Sequence, residues 1–333
     1  MQNPSLQIIN LSTYVHRLPA YQEFKTNFEL DHFQFRDVFV TIQEDGTLNF
    51  QSERTFKIEN RRFKIDVEYN NKKYEERIIN SWLQDKNLRY YKGVDFYPKR
   101  SDCPENVYNL FTGFSIETNR VEYNPEEQTD LIQPFLNFIQ ILTQFSNVNE
   151  YVLNWICHLF QYPEKKGSAL FIHGSQGTGK TTLLELISRI CGKQYYKSSG
   201  NPSFFFAKHS TFLENTLLAN LDGIEITEPT KQSGLLKAWI KEPTVYIYSK
   251  KFNPRLINNS ARFVLTSNNV ISLKNRRYFS FEASNVLSNN TEYFNNLYAY
   301  FDDKKRLTAF YDYLMSRDIS NFNVINDIPQ IQT

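Results

Sequence analysis

Cysteine is nearly absent: Cys103, Cys157 and Cys191 are the only three in 333 residues, and no two form a C-x-x-C pair. That spacing excludes a disulfide framework and a cysteine-based zinc site, and it suits an intracellular, reducing compartment. Histidine is equally sparse, with five residues and none paired at metal-ligand spacing. No apolar run is long enough to cross a membrane. Met1-Gln-Asn-Pro lacks the charged-then-apolar pattern of a secretory leader. No internal repeat or low-complexity tract is visible. One stretch is almost without acid. Residues 231–280 hold ten lysines and arginines against Glu242 alone, a local charge of +9 in a chain whose total is +2. Interleaved with Tyr246, Tyr248 and Phe252, this block suits either a polyanion contact or a solvated surface.

Glycine is scarce too, with 11 residues, yet three of them fall in Gly174-Ser175-Gln176-Gly177-Thr178-Gly179-Lys180-Thr181. This fits G-x-x-x-x-G-K-[ST], the loop that wraps the phosphates of a nucleoside triphosphate. Its context agrees on both sides. Ala169-Leu-Phe-Ile-His173 before it is a short apolar run of buried-strand type. From Thr182 onward, Leu183, Leu186, Ile187 and Ile190 fall on one helical face, and Gly192 ends the helix. Glycines let backbone N–H groups turn inward at the positive end of that helix. Lys180 is then expected at the β- and γ-phosphates and the Thr181 hydroxyl on Mg²⁺. His173 reads as a strand-end filler.

The period of the pattern changes along the chain. Residues 1–125 are mixed and β-leaning, an accessory domain: Asp37–Gln43 and Thr47–Phe50 flank a turn at Gly46, Phe63–Tyr69 alternates, and Glu75–Leu83 looks helical. Residues 126–165 form a helical segment. Leu131, Phe135, Phe138, Leu142 and Phe145 make one stripe of a first helix, and Tyr151–Phe160 makes a second. Residues 166–285 alternate short apolar strands with helices, which argues a three-layer α/β nucleotidase core. Residues 286–333 return to helical spacing.

Hydrolysis needs a metal-linked acid, a group that positions water, a γ-phosphate sensor and a cation for the transition state. Asp222 stands at the end of one apolar strand, where the acid that shares Mg²⁺ with Thr181 belongs. Asn268 stands at the end of the next, where an amide reaches both the γ-phosphate and the attacking water. Arg276 and Arg277 follow as candidate finger arginines.

With these residues in this order, the chain from about Tyr90 onward resembles the superfamily 3 helicases of viruses and mobile elements, in particular the poxvirus and phage primase-helicase branch. The resemblance is carried by Tyr108-Asn-Leu-Phe-Thr-Gly-Phe114, Tyr151–Pro163, the phosphate loop, Leu236-Lys-Ala-Trp-Ile-Lys-Glu-Pro243 with Ser249-Lys-Lys251, Phe263–Asn268 and Asn275-Arg-Arg-Tyr278. It implies an AAA+ P-loop core that uses ATP and Mg²⁺. It also implies a homo-oligomer, expected as a hexameric ring, on single-stranded or forked DNA, with a primase or polymerase as a further partner. By resemblance, Lys250 and Lys251 tip a hairpin that grips DNA, and a finger arginine acts across a subunit boundary. The family places Glu directly after the metal-linked Asp; here Gly223 stands there. Glu225 is the favoured replacement, with Glu228 and a weakly hydrolysing site as alternatives. The last residues, Ser320–Pro329, resemble the exit from the helicase core of longer relatives, so the chain is expected to be a domain of a larger replication protein.

Overall fold

The computed structural model describes residues 11–44, 46–226, 229–248, 254–269 and 277–330. Two compact units divide the chain, Met1–Val94 with Pro104–Tyr108 and Asp95–Cys103 with Asn109–Thr333.

In the first unit, the strands Leu48–Gln51, Val38–Ile42, His32–Phe35 and Tyr90–Tyr91 lie side by side in that order. The first pairing is the hairpin expected around Gly46. A second hairpin joins Lys64–Tyr69 to Lys72–Arg77 through Asn70 and Asn71, whose φ values of +52 and +59 give a turn matched to the right-handed twist of the strands. That turn corrects the expected helix over Glu75–Leu83. Residues 72–77 are drawn into the ladder, and only Ile78–Leu83 is helical. Phe28, Phe39, Phe56 and Trp82 pack as the core of this unit.

The second unit contains helices α1 (Gln128–Thr143) and α2 (Ser146–Gln161), strand β1 (Ala169–His173), helix α3 (Lys180–Cys191), strands β2 (Tyr196–Ser199) and β3 (Leu218–Asp222), and helix α4 (Lys231–Lys241). They are followed by strands β4 (Thr244–Ile247), β5 (Arg255–Asn258), β6 (Arg262–Ser267) and β7 (Tyr278–Glu282), and helices α5 (Thr291–Asp302) and α6 (Lys304–Ser316). Five strands form a parallel sheet in the order β2-β3-β6-β1-β7. The period-2 geometry of a strand sends Leu170 and Ile172 of β1 to one face and Ala169 and Phe171 to the other. The first pair joins the cluster built by α1, α2, α3, α5 and α6; the second joins a smaller cluster with Leu236 and Ile240 of α4 and Ile247 and Ile257 of β4 and β5. The three-layer α/β core expected from the sequence is this arrangement. Strands β4 and β5 stand apart from the parallel sheet as an antiparallel hairpin.

Two further details differ from the reading of the sequence. Phe145 leaves the helical stripe, because α1 ends at Thr143 and Gln144 turns at φ +63; Phe145 is 54% exposed. Residues Phe111, Phe114 and Ile116 pack into the large helical cluster of the second unit rather than with the amino-terminal strands. No helix of the described residues is long and apolar enough to cross a membrane.

Candidate nucleotide site

Because all five strands run the same way, their carboxyl ends share one edge, and β6 sits between β1 and β3. The loops after β1, β3 and β6 are therefore neighbours. This is the edge at which open parallel sheets hold ligands.

The loop after β1 is shaped by its glycines and by what presses on them. Gly174, Gly177 and Gly179 have φ of +135, +77 and +98. A Cβ on Gly174 would stand 3.1 Å from Ala283 O, one on Gly177 3.0 Å from Asn289 Oδ1, and one on Gly179 2.9 Å from Phe138 Cε2. The chain after β7 thus wraps the loop, and Ser288 Oγ donates to Gln176 O at 3.3 Å. Within the loop, Thr178 Oγ1 donates to Ser175 O at 3.0 Å. Helix α3 starts at Lys180, so its first N–H groups face the loop interior. Thr181 is exposed there, while Thr182 is buried and its Oγ1 lies 3.2 Å from Tyr298 Oη.

Lys180 gathers the site. Its Nζ donates to Gly174 O and Ser175 O at 2.7 Å each and to Asn268 Oδ1 at 3.3 Å. Burial lowers its pKa from the ordinary lysine value, and the nearby Asp222 carboxylate opposes that shift. Asp222 is oriented by Thr266, whose Oγ1 donates to Asp222 Oδ1 at 2.7 Å and also touches Asn220 Oδ1 at 3.2 Å. Gly223 follows with φ +65, its N–H donating to Thr266 O at 2.7 Å. Past this turn Glu225 is exposed, and its Oε1 accepts from Asn269 Nδ2 at 3.2 Å. His173 has a buried Nδ1 without a hydrogen-bond partner among the described residues. Burial, reinforced by Lys180, lowers its pKa against the pull of Glu282, so it is neutral near pH 7.

The structure thus brings Lys180, Asp222 and Asn268 together at one edge, with Thr181 on the adjoining turn and Glu225 beside Asn269. It sets Arg277 elsewhere: Ala169 N donates to Arg277 O at 2.8 Å, at the amino-terminal edge where β1 and β7 begin. Arg276, Lys250 and Lys251 lie outside the described residues, as do Ser249, Phe252 and Glu228. Sequence reasoning missed Thr266, Asn269 and the pair Phe138 and Phe294. Thr266 was legible only as a polar strand end, and the two phenylalanines only as core-type aromatics.

The donors suit a cation brought in with a nucleotide. Thr181 and Asp222 offer hard oxygen ligands, and no group of three or more His, Cys, Asp or Glu side chains able to hold a metal exists among the described residues. Magnesium is typically held by one or two such oxygens together with substrate phosphates.

A parallel α/β sheet with a glycine-lined phosphate loop at its carboxyl edge defines a fold of the P-loop nucleotidase class. Residues 172–277 match a family of unknown function (DUF5906). The chain is 30% identical over 144 residues to the DNA primase-polymerase of Nitratiruptor phage NrS-1, a match that takes in 40% of this chain and 20% of that protein. The chain thus spans about a fifth of the length of this curated relative. The solved apo C-terminal region of NrS-1 superposes with a TM-score of 0.65 at 19% identity, covering 91% of this chain and 70% of that one; a second form of that region gives 0.61. The two share a fold. The chain is thus similar to a phage DNA primase-polymerase in sequence and to the NrS-1 C-terminal region in fold.

Proposed function

We propose that this chain is an ATP-dependent DNA helicase or translocase domain of a viral or mobile-element replication protein. ATP and Mg²⁺ bind at the loop Gly174–Thr182. Lys180 holds the β- and γ-phosphates, Thr181 and Asp222 hold the metal, Asn268 senses the γ-phosphate, and Glu225 orients the attacking water. Arg276 or Arg277 completes the site of a neighbouring copy, since Arg277 lies at the edge opposite its own loop. Lys250 and Lys251 grip single-stranded or forked DNA inside a ring, expected to be hexameric, working with a primase or polymerase.

The observation that carries this reading is the hydrogen bond from Lys180 Nζ to Asn268 Oδ1, with Asp222 clamped by Thr266 beside it. Three sequence-distant polar groups meet at the carboxyl edge of a parallel sheet, as phosphoryl transfer requires. A second reading is favoured by one feature. Gly223 stands where the resembled family carries its water-positioning Glu, and a nucleotide-dependent DNA scaffold with little turnover would look the same.

ATPase activity measured against protein concentration, with and without single-stranded DNA, separates the two. The helicase reading expects steep concentration dependence, stimulation by DNA, and complete loss in Lys180→Ala. ATP binding with no turnover at any concentration supports the scaffold.

A further inference from the structure

The two buried clusters fix which way each side chain at the carboxyl edge of the sheet points. Phe281 of β7 faces the cluster that holds α3, whereas Phe171 of β1, Leu221 of β3 and Leu265 of β6 face the smaller one. Strand alternation then carries Asp222 and Thr266 to the α3 face, where Thr266 Oγ1 donates to Asp222 Oδ1. The same alternation carries Ser267, His173 and Glu282 to the opposite face. These three are also level with one another, since Ser267 pairs with His173 and His173 with Glu282. Asp222 pairs with Thr266, so the row continues to Gly223 on β3.

The resembled family carries its water-positioning Glu at the place of Gly223. A Cβ on Gly223 would meet nothing within 4 Å, so that place is open space. An acid there would lean over β6 from the β3 side. His173 approaches β6 from the β1 side. Neighbouring strands lie about 4.8 Å apart, so positions 223 and 173 flank the end of β6, and Asn268 beyond it, at equal distance. The His173 ring is half-buried, and its Nδ1 has no hydrogen-bond partner among the described residues. Burial and Lys180 keep it neutral near pH 7, the form that takes up a proton, while the exposed Glu282 acts in the opposite sense and favours the imidazolium.

We propose that His173 accepts the proton of the water that attacks the γ-phosphate, with Glu282 as the positioning residue behind it, in place of the acid missing at position 223. The inference rests on the nucleotide-site reading above. It adds a base to the water-orienting Glu225, which Asn269 engages past the Gly223 turn. In the step, a lone pair of the water oxygen forms the bond to the γ-phosphorus. The bond from that phosphorus to the bridging oxygen breaks, and its electrons leave with the nucleoside diphosphate. One water proton passes to the imidazole and the other stays on the inorganic phosphate. The imidazolium then gives its proton to bulk water.

Turnover and ATP binding, measured separately, test this. His173→Gln is expected to bind a fluorescent ATP analogue as wild type does while kcat falls by about 10²–10⁴. In His173→Ala, free imidazole should restore turnover in proportion to its unprotonated form. Glu282→Gln should move the acid limb of the kcat profile to lower pH, because the carboxylate raises the imidazole pKa and its removal lets that value fall. Gly223→Glu added to His173→Gln puts an acid into the open space and should recover turnover. Wild-type kcat in His173→Gln overturns the inference. So does a loss that neither imidazole nor Gly223→Glu restores, which makes the ring a support of the loop. An acid limb that Glu282→Gln leaves in place removes Glu282 from the pair. A wild-type chain that binds no ATP sinks the nucleotide-site reading, whereas one that hydrolyses ATP equally with and without His173 sinks this inference alone.

Discussion

Gly179 and Gly223 offer a controlled comparison of backbone conformation against packing. Both hold left-handed backbone, with φ of +98 and +65. At Gly179 an added Cβ would stand 2.9 Å from Phe138 Cε2 and 3.2 Å from Phe294 Cε1; at Gly223 nothing lies within 4 Å. Left-handed backbone costs a residue with a Cβ about 1–2 kcal/mol, and forcing one more carbon into a packed region adds about 1–3 kcal/mol. Gly223→Ala is therefore expected to cost about 1–2 kcal/mol, and Gly179→Ala about 2–5 kcal/mol. The second cost falls on the phosphate loop itself. If half of it appears as loop distortion, ATP affinity drops by about tenfold, since each 1.4 kcal/mol is a factor of ten. Urea unfolding followed by circular dichroism measures the change in stability, and titration with a fluorescent ATP analogue measures the change in affinity. Phe138→Leu introduced with Gly179→Ala should recover part of the loss, a coupling that a mutant cycle reads directly. If Gly179→Ala unfolds and binds like Gly223→Ala, the aromatic pair does not press on the loop and the reasoning is refuted.

Three further outcomes are expected. Arg276→Ala and Arg277→Ala should leave ATP binding intact while one of them lowers turnover by about 10³ or more; equal ATPase in both variants and wild type removes the finger assignment. Lys250→Ala and Lys251→Ala should weaken single-stranded DNA binding and reduce its salt slope by about 0.7 for each phosphate no longer neutralised, and an unchanged slope means these lysines do not meet the backbone. His158, held down to about 3 chiefly by burial with help from Arg262 and Lys165, has an ordinary value of 6.5. Its unfolded form therefore takes up a proton that the folded form refuses. The stabilising contribution is complete above pH 6.5 and is lost as pH falls toward 3. Between pH 7 and pH 5 the loss should be about 1–2 kcal/mol, visible as a lower urea midpoint, and His158→Asn should flatten it. A wild-type midpoint that ignores pH over this range would show that His158 is not buried as a neutral base.

The sequence by itself determined the phosphate loop, the strand that enters it and the helix that leaves it. These are short-range facts: a glycine-rich turn between an apolar run and a 3.6-residue stripe specifies its own backbone, whatever surrounds it. It also determined that Asp222 and Asn268 end apolar strands. It did not determine that Glu75–Arg77 would pair rather than coil, because the turn at Asn70-Asn71 drew Lys72–Arg77 into a ladder although the spacing from Glu75 onward read as helical. Nor did it place Phe145, where one residue at positive φ moved a side chain from core stripe to surface. Strand order was decided only in three dimensions. Inserting β6 between β1 and β3 joins strands far apart in sequence and brings Asn268 to Lys180 and Thr266 to Asp222, while the packing of helices α1 and α5 sets Phe138 and Phe294 behind Gly179. The same parallel order sends Arg277 and Lys166 to the far edge of the sheet. A chain with one direction in all its strands has two chemically different rims, and that asymmetry cannot be written in any local pattern of residues.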